Sequence, residues 1–462
     1  MAETFTCRGW DSLSLSFPGL RSLLCPTDIA NSNILGLTST LLVRAFTGIL
    51  CDRYGPRKVM AGLLFAGAIP TALAGTVHDA TGLIILRFFI GVLGGTFVPC
   101  QVWVTTFFDK SVVGTANALA GGWGNAGGGV VFFVMPAVVN SLVQNNHLAI
   151  STAWRLAFLV VPFVVITATA IAVLVFGDDC PHGKWSERVF TQEVIVSEEK
   201  ESKDTLESPL DHGVAILRVS SDANLTALAE SDSGSNGING SLSRTSSATQ
   251  IQREFSPVLK AAFSLDTLLA ALPYACTFGA ELALEGILSA WYQQQSKQSG
   301  LNWGETVAGP YAAIFGLLNI FTRPLGGIIA DIIYCRTQTA VSKKWWMIFL
   351  GVFEGVLLVI IGLFPNIHVL GLFGLFVCLA VMMEAGNGSN YALVPHLNPA
   401  HNGVVSGMVG ASGNLGGIIF GLVYRFNGTN YFKGTLINGI IVLSFHLLVC
   451  WIPVRDRLVK SF

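Results

Sequence analysis

The chain has 462 residues, of which 52% are hydrophobic and only 12% are charged, and its mean hydropathy is +0.60. Soluble domains carry about 25% charged residues, so lipid must solvate much of this surface. The formal net charge of −1 provides no basic field and excludes nucleic acid as a partner. The 9 cysteines form no CxxC pair, so no metal site or disulfide framework is indicated. We therefore expect an integral membrane protein in a lipid bilayer, without metal or cofactor.

Hydrophobic runs long enough to cross a bilayer recur along the chain. A spanning helix needs about 20 apolar residues. Such runs lie at about 30–51, 58–77, 81–108, 112–143, 154–176, 264–292, 307–332, 345–364, 367–395, 402–426 and 433–453. The predicted fold class is therefore all-α, a polytopic membrane protein with about eleven transmembrane helices in two halves, residues 28–177 and 258–462.

Two segments do not fit this pattern. Residues 1–27 form an atypical N-terminal segment: their apolar stretch Leu13–Leu24 is short and broken, and no basic start or small-residue exit marks a signal peptide. Residues 178–257 are rich in Ser, Glu, Asp, Asn and Gly, a composition that cannot bury enough apolar surface to fold. They are predicted to form a disordered loop between the two halves.

The basic residues predict the orientation in the membrane. If the helices alternate, the turns 51–58, 109–111 and 333–344 and the C-terminal tail share one side, and all of them carry Lys or Arg. The turns on the opposite side carry only Lys297. Because basic loops stay in the cytoplasm, the long loop and the C-terminus are predicted to be cytoplasmic.

Two sequence patterns occur once in each half. The segments 44–52 and 323–331 both begin with Arg, have Gly at the fifth position and end with Asp. A Gly-Asn-x-Gly-Gly run also occurs twice, and its residues are Gly124, Asn125, Gly127 and Gly128 in the first half and Gly413, Asn414, Gly416 and Gly417 in the second. These repeats favour duplicated halves about a pseudo-two-fold axis, with the substrate between them near mid-membrane. The glycines also have a plainer interpretation, since small residues let helices cross closely.

The turn after the first repeat resembles the loop motif of the major facilitator superfamily, which joins its second and third helices. The matching residues are Gly48, Asp52, Arg53, Gly55 and Arg57. By that resemblance they form a cytoplasmic charge latch that changes partners as the halves rock. The alternative is a basic cytoplasmic turn with no further role.

Two arginines, Arg44 and Arg323, lie well inside apolar helices. A charge there costs about 2.5–3.5 kcal/mol, so each must face a cavity or a partner. Their equivalent positions predict one shared cavity, and a guanidinium fork matches a planar oxyanion such as nitrate. The alternative is a structural pairing of each arginine with a helix carbonyl or with Glu281, Glu285 or Glu384.

The two Gly-Asn runs resemble the paired signatures of the nitrate/nitrite porter family, and the agreement extends from about residue 28 to the C-terminus, apart from the long loop. The stretches 87–103 and 385–391 also agree, most closely with fungal members. The resemblance implies that Arg44 and Arg323 clamp nitrate and that Tyr274 and Phe278 enclose it, although both aromatics could also be ordinary packing residues. Asn125 and Asn414, polar groups at membrane depth, would bind neighbouring helices or orient the arginines.

The resemblance further implies uptake of nitrate and nitrite at the plasma membrane by alternating access, driven by protons. Glu281, Glu285 and Glu384 are proton carriers by position only, and nitrate–nitrite exchange would need none of them. The family has about twelve helices, so this chain, in which residues 1–27 do not resemble the first, is expected to transport poorly or to misfold. Three alternatives are a carrier of another small anion or an organic solute, a transport-dead nitrate sensor and a membrane enzyme, for which no motif is present.

Overall fold

The computed structural model describes residues 26–77, 79–181, 183–185, 189–190, 217–218 and 257–454. Two predictions fall wholly or mainly outside these residues. One is the atypical segment 1–27, and the other is the disordered loop 178–257. The short described pieces of that loop include an antiparallel pair of two-residue strands, β1 (Val189–Phe190) and β2 (Leu217–Arg218).

The N-terminal half is helical throughout its described part. Its helices are α1 (Pro26–Tyr54), α2 (Pro56–Ala72), α3 (Ala80–Ile90), α4 (Phe97–Phe107), α5 (Val113–Gln144), α6 (Ile150–Phe158) and α7 (Val164–Phe176). A 3₁₀ segment, Gly91–Thr96, joins α3 to α4, and a π-helical turn, Leu159–Phe163, joins α6 to α7. Each of these pairs therefore forms one span.

The C-terminal half repeats this arrangement. Its helices are α8 (Leu265–Glu285), α9 (Leu288–Gln298), α10 (Glu305–Leu317), α11 (Asn319–Thr337), α12 (Ala340–Leu363), α13 (Val369–Leu397), α14 (Asn402–Asn427) and α15 (Tyr431–Val449). The helices α10 and α11 form one span that bends at Leu318, whereas α9 is a short polar helix beyond the end of α8.

Eleven segments of the described chain are long and apolar enough to cross a membrane, which confirms the all-α polytopic prediction. Most bounds differ from the expected ones by a few residues, and the difference is five residues or more in three places. The span predicted at 345–364 begins at Ala340. The span predicted at 264–292 ends at Glu285, because α8 stops there and α9 begins only at Leu288. The span predicted at 307–332 continues to Thr337.

The two halves meet along two equivalent helix pairs, α1 with α14 and α5 with α11. The helices α1 and α11 carry the repeated segments 44–52 and 323–331, and α14 and α5 carry the Gly-Asn runs. The crossings are close: a methyl group on Gly48 would collide with the backbone of Gly403, and one on Gly327 with the backbone of Gly114. Each arginine helix thus packs on the glycine-rich helix of the other half.

The Gly-Asn runs differ in what covers them. In the C-terminal half, Gly413, Gly416 and Gly417 all lie against residues of α8. In the N-terminal half, Gly124, Gly127 and Gly128 have no atom of the described chain within 4 Å of an added methyl group. We call this uncovered part of α5 the open glycine face.

Candidate anion-binding site

Arg44 is held in place by carbonyl groups from both halves. It is 6% exposed, its Nε donates to the Gly94 carbonyl at 2.8 Å, and its Nη1 donates to the Gly410 carbonyl at 3.0 Å. The Gly94 carbonyl is available because the chain there is a 3₁₀ turn between α3 and α4 rather than a continuous α-helix. The head of Arg44 therefore spans the boundary between the halves.

Arg323, in contrast, has hydrogen-bond donors to spare. Its side chain is 1% exposed, and its Nη2 donates to the Tyr274 hydroxyl at 3.1 Å. Its Nε and Nη1 have no hydrogen-bond partner among the described residues. A buried donor without a partner costs about 1–3 kcal/mol, and more when it is charged. These two N–H groups therefore need an acceptor, and an oxyanion supplies one in a fork geometry.

The two arginines share the same pair of aromatic rings, Phe97 and Phe278. The Arg44 Cζ lies 4.8 Å from the Phe97 centroid and 5.4 Å from the Phe278 centroid. The Arg323 Cζ lies 5.6 Å and 5.9 Å from the same two centroids. These are cation–π distances. The arginines, which come from opposite halves, therefore lie in one compartment, as their equivalent positions in the repeat predicted.

Tyrosines complete the wall of this compartment. Tyr274 stacks on Phe278 with the ring centroids 5.0 Å apart and the planes at 8°. Tyr391 meets both Tyr274 and Phe97 edge to face at 5.0 Å, and its hydroxyl donates to the Ser406 carbonyl at 3.1 Å. We call Phe97, Tyr274, Phe278 and Tyr391 the aromatic box. All four rings are held by neighbours, so the site is preorganised.

Phe97 and Tyr391 belong to the box but were not expected there. Both fall inside the stretches that carried the family resemblance, 87–103 and 385–391. An aromatic residue in an apolar helix has nothing in its sequence context that separates a site wall from ordinary core packing. The role of each residue follows from its contacts with side chains of other helices, which the sequence alone does not report.

The charge of the compartment is positive. Among the described residues, neither guanidinium forms an ion pair with a carboxylate. The two arginines interact electrostatically with each other. Glu281 is the carboxylate that interacts electrostatically with Arg323. The alternative in which each arginine only pairs with a helix carbonyl or a glutamate fits Arg44, which donates to two carbonyls, better than Arg323, which keeps two donors without a partner. A small anion would relieve the repulsion between the cations.

The two asparagines of the Gly-Asn runs hold different groups. Asn414 donates to the Gly410 carbonyl at 3.0 Å, the same oxygen that accepts from Arg44, so it helps to position that arginine. Asn125 donates to Glu281 Oε1 at 3.5 Å, across the boundary between the halves. Asn125 therefore binds Glu281, the carboxylate that interacts electrostatically with Arg323, and not Arg323 itself.

The signature glycines of the C-terminal half shape the box directly. A methyl group on Gly413 would lie 2.7 Å from ring carbons of both Tyr274 and Phe278, closer than carbon atoms can approach. Gly416 meets the backbone of Ala275 and Gly417 meets Leu282. Glycine at these positions lets α14 press on α8 and fixes the depth of the aromatic box.

The loop-motif aspartate caps a helix of the opposite half. The two carboxylate oxygens of Asp52 each accept a backbone N–H at 3.0 Å, from Gly403 and Val404 at the N-terminus of α14. A carboxylate at a helix N-terminus satisfies free N–H groups and opposes the helix dipole. Asp52 therefore ties the N-terminal half to the C-terminal half at this end of the molecule.

The remaining residues of that turn brace it from within its own half. Arg57 forms an ion pair with Asp179 at 3.0 Å and donates to the Gly177 carbonyl at 2.6 Å. Gly55 has φ of +90°, a backbone conformation that favours glycine, and a side chain there would also meet Trp185. The Arg53 Cζ lies over the ring of Tyr54, 5.5 Å from its centroid.

The second repeat forms the equivalent cap, with added charge. Asp331 accepts backbone N–H groups from Gly114 at 3.2 Å and Thr115 at 2.6 Å, at the N-terminus of α5, and the Thr115 hydroxyl at 2.8 Å. It also forms an ion pair at 2.8 Å with Lys343, whose side chain is fully buried. We call the two caps, Asp52 on α14 and Asp331 on α5, the crossed caps.

Comparison with known proteins gives the same family for nearly the whole chain. Residues 9–421 match the model of the Major Facilitator Superfamily. The chain is 31% identical over 433 residues to high affinity nitrate transporter 2.5 of Arabidopsis thaliana, covering 93% of this chain and 72% of that protein. It is 30% identical over 439 residues to elsinochrome transporter 1 of Elsinoe fawcettii, covering 92% and 85%.

A third relative is more distant. The chain is 26% identical over 468 residues to a nitrate/nitrite transporter of Nostoc punctiforme, covering 91% of this chain and 84% of that protein. The family model and these relatives each cover both halves of the chain. The chain therefore belongs to the Major Facilitator Superfamily.

Proposed function

We propose that this protein carries nitrate, and also nitrite, across the plasma membrane by alternating access, together with protons. The observation that supports the cargo best is the buried Arg323, whose Nε and Nη1 lack a partner while Arg44 lies across the same two rings. Nitrate and nitrite are small and planar, so they suit a guanidinium fork between aromatic faces. Relatives named as nitrate transporters support the same cargo, and with the family they mark the chain as a transporter, not an enzyme.

The direct test is uptake of labelled nitrate by cells that lack their own carrier. Saturable uptake that unlabelled nitrite inhibits is expected. Uptake of a bulkier organic solute in preference to nitrate would favour the other reading of the relatives, which include an elsinochrome transporter. Nitrate binding by the purified protein with no uptake by membrane-localised protein would contradict transport and support the sensor alternative.

Phe97 provides a test of the aromatic box. Phe97→Leu keeps an apolar side chain but removes the ring that faces both guanidiniums, at 4.8 Å and 5.6 Å. We expect the KM for nitrate to rise by about threefold to 30-fold, because a cation–π contact contributes about 0.5–2 kcal/mol. Initial rates of labelled nitrate uptake over a concentration series measure this.

The matched control for that test is Phe89→Leu. Phe89 lies on α3 with its side chain 54% exposed, so the same substitution should leave KM unchanged. If Phe97→Leu also leaves KM unchanged at normal surface expression, the aromatic box does not contact the anion.

The crossed caps support alternating access. They join the halves at the end that carries the basic turns, which we propose to be cytoplasmic. Opening that end requires separating Asp52 from the N-terminus of α14 and Asp331 from the N-terminus of α5. The compartment would then face the cytoplasm, and the caps would act as the latch.

Asp331→Asn is expected to lower the maximal rate of nitrate uptake by about threefold to 30-fold with little change in KM. The amide keeps one acceptor but loses the charge, and a charged cap contributes about 0.5–2 kcal/mol. Asp331 lies at the end of α11 and does not contact the aromatic box. A rise in KM with an unchanged maximal rate would contradict a latch role. Asp266→Asn, which makes the same change in the first turn of α8, serves as the control.

A further inference from the structure

Three buried glutamates lie in the C-terminal half beside the anion compartment. Glu281 of α8 is 1% exposed, and Glu354 of α12 and Glu384 of α13 are 0% exposed. An ionised carboxylate buried without partners is very unfavourable. Three of them within one half therefore call for an account of what balances their charge.

Glu281 has the partners that a charged carboxylate needs. Its Oε1 accepts from the amide of Asn319 at 2.8 Å and from that of Asn125 at 3.5 Å, and its Oε2 accepts from the amide of Asn387 at 2.6 Å. The Arg323 guanidinium lies within its electrostatic range. Three amide donors and a nearby guanidinium therefore all favour the charged form of Glu281, which sets it apart from the other two glutamates.

Glu354 and Glu384 lack such partners. Neither carboxylate oxygen of Glu354 has a hydrogen-bond partner among the described residues, and neither does Oε1 of Glu384. Oε2 of Glu384 accepts from the Thr322 hydroxyl. The amide oxygen of Asn319, which belongs to the same network, is also without a donor. The cluster therefore has more buried acceptors than donors, and hydrogen atoms on the carboxylates would restore the balance.

Glu281 and Glu384 are joined through α11, whose Asn319 donates to Glu281 and whose Thr322 donates to Glu384. Glu354 and Glu384 both interact electrostatically with Glu281. The titratable and charged groups that face it are Tyr274 and Glu285 on α8, Arg323 on α11, Glu354 on α12 and Glu384 on α13, and α5 contributes the neutral Asn125. With one cation against several acids, the cluster favours uptake of a positive charge.

A proton suits this site better than a metal ion. Within the described part of the chain, no group of three or more His, Cys, Asp or Glu side chains is arranged to hold a metal. A proton needs only one carboxylate oxygen, and the unpaired oxygens of Glu354 and Glu384 are available. Glu285 lies one turn beyond Glu281 on α8, at the C-terminal end of that helix.

We propose that Glu281, Glu354 and Glu384 form the site that binds the proton transported with the anion. This inference rests on the proposed nitrate transport. A hydronium ion transfers its proton to an oxygen of Glu354 or Glu384, which becomes a neutral carboxylic acid, and water remains. On the other side of the membrane the acid returns the proton to water and is again a carboxylate.

The Asn125–Glu281 hydrogen bond links this site to the rocking of the halves. Asn125 lies on α5 in the N-terminal half, whereas Asn319 and Asn387 lie in the same half as Glu281. Separation of α5 from α8 removes one of three donors from Glu281, and losing a donor disfavours the charged form of a carboxylate. The cluster therefore holds protons differently in the two conformations, which is what coupling requires.

The test uses the full-length protein in proteoliposomes, with inorganic nitrate as the probe. Two quantities are measured: accumulation of labelled nitrate driven by a pH gradient, and nitrate–nitrate exchange at equal pH. With one proton per nitrate, a gradient of one pH unit drives about tenfold accumulation, since each pH unit corresponds to about 1.4 kcal/mol. A pH-sensitive dye inside the vesicles reports the accompanying proton entry.

Glu354→Gln and Glu384→Gln are tested separately, each as protein with the wild-type size-exclusion profile. We expect each to keep exchange while accumulation and proton entry fall, and the double variant Glu354→Gln/Glu384→Gln to keep exchange and lose both. Asp266→Asn, which removes a carboxylate from the first turn of the same helix as Glu281, is the control and should keep all three activities. Because the two glutamates lie on different helices, failure of one variant to fold leaves the other as the test.

Several outcomes would overturn the inference. Wild-type accumulation and proton entry in both folded variants would remove these glutamates from coupling. Loss of exchange together with accumulation would assign them a structural role instead. Nitrate transport by the wild type without proton entry would overturn the proton site but not the proposed function, whereas wild-type vesicles without nitrate transport would overturn the proposed function itself.

Discussion

Arg323→Lys is expected to reduce the kcat/KM of nitrate uptake by about 100-fold or more. Lysine keeps the positive charge but loses the planar fork, so the two donors that lack partners, Nε and Nη1, are no longer presented to the anion. The bond from Nη2 to Tyr274 is lost as well. Each charge-assisted hydrogen bond contributes about 1.5–3 kcal/mol, and about 1.4 kcal/mol corresponds to tenfold.

The measurement is the initial rate of labelled nitrate uptake, corrected for surface expression. Arg336→Lys is the matched control, because Arg336 lies in the last turn of the same helix with its side chain exposed. Arg44→Lys should have a smaller effect, since Arg44 already donates to two carbonyls and has less to offer the anion. Wild-type uptake by Arg323→Lys would exclude the arginine clamp.

Gly413→Ala should also abolish most nitrate uptake. The added methyl group would lie 2.7 Å from the rings of Tyr274 and Phe278, which are both buried and cannot move aside. Overpacking of a tight core costs about 1–3 kcal/mol, and here the strain falls on the aromatic box. We expect uptake about tenfold to 100-fold lower, with KM raised because the box is displaced.

The internal repeat supplies the control for this substitution. Gly124 occupies the same place in the other Gly-Asn run, and no described atom lies within 4 Å of a methyl group there. Gly124→Ala should therefore be much milder than Gly413→Ala in the same uptake assay. Equal losses would contradict the specific role of Gly413 in the box and would indicate that the open glycine face is covered in the functional protein.

The sequence was sufficient for the membrane fold and for the position of the arginine pair. Hydropathy locates the spans because a bilayer requires about 20 apolar residues for each. The repeat locates Arg44 and Arg323 in one compartment because duplicated halves place equivalent residues on opposite sides of one axis. The crossed caps follow the same logic, since Asp52 and Asp331 end the two repeats.

Other features depend on contacts between distant segments, which hydropathy does not report. The end of α8 at Glu285 could not be found from hydropathy alone, because the first residues of α9, from Leu288 to Tyr292, are mostly apolar although the rest of that helix is polar. The roles of Phe97 and Tyr391 arise from what lies across from them. The donors of Glu281 come from three helices, and a single sequence does not indicate that three asparagines converge on one acid.

The crossed caps also affect how the latch tolerates mutation. Each aspartate binds backbone N–H groups, at Gly403 and Val404 or at Gly114 and Thr115. Side-chain changes at Val404 or Thr115 leave those N–H donors in place, whereas a methyl group on Gly403 or Gly114 would lie 2.5 Å or 2.4 Å from an aspartate oxygen. Only proline, which lacks the N–H, or a side chain that fills the space of a glycine would remove the contact. The latch therefore tolerates substitution at one donor residue of each helix N-terminus but not at the glycine beside it or at the aspartate itself.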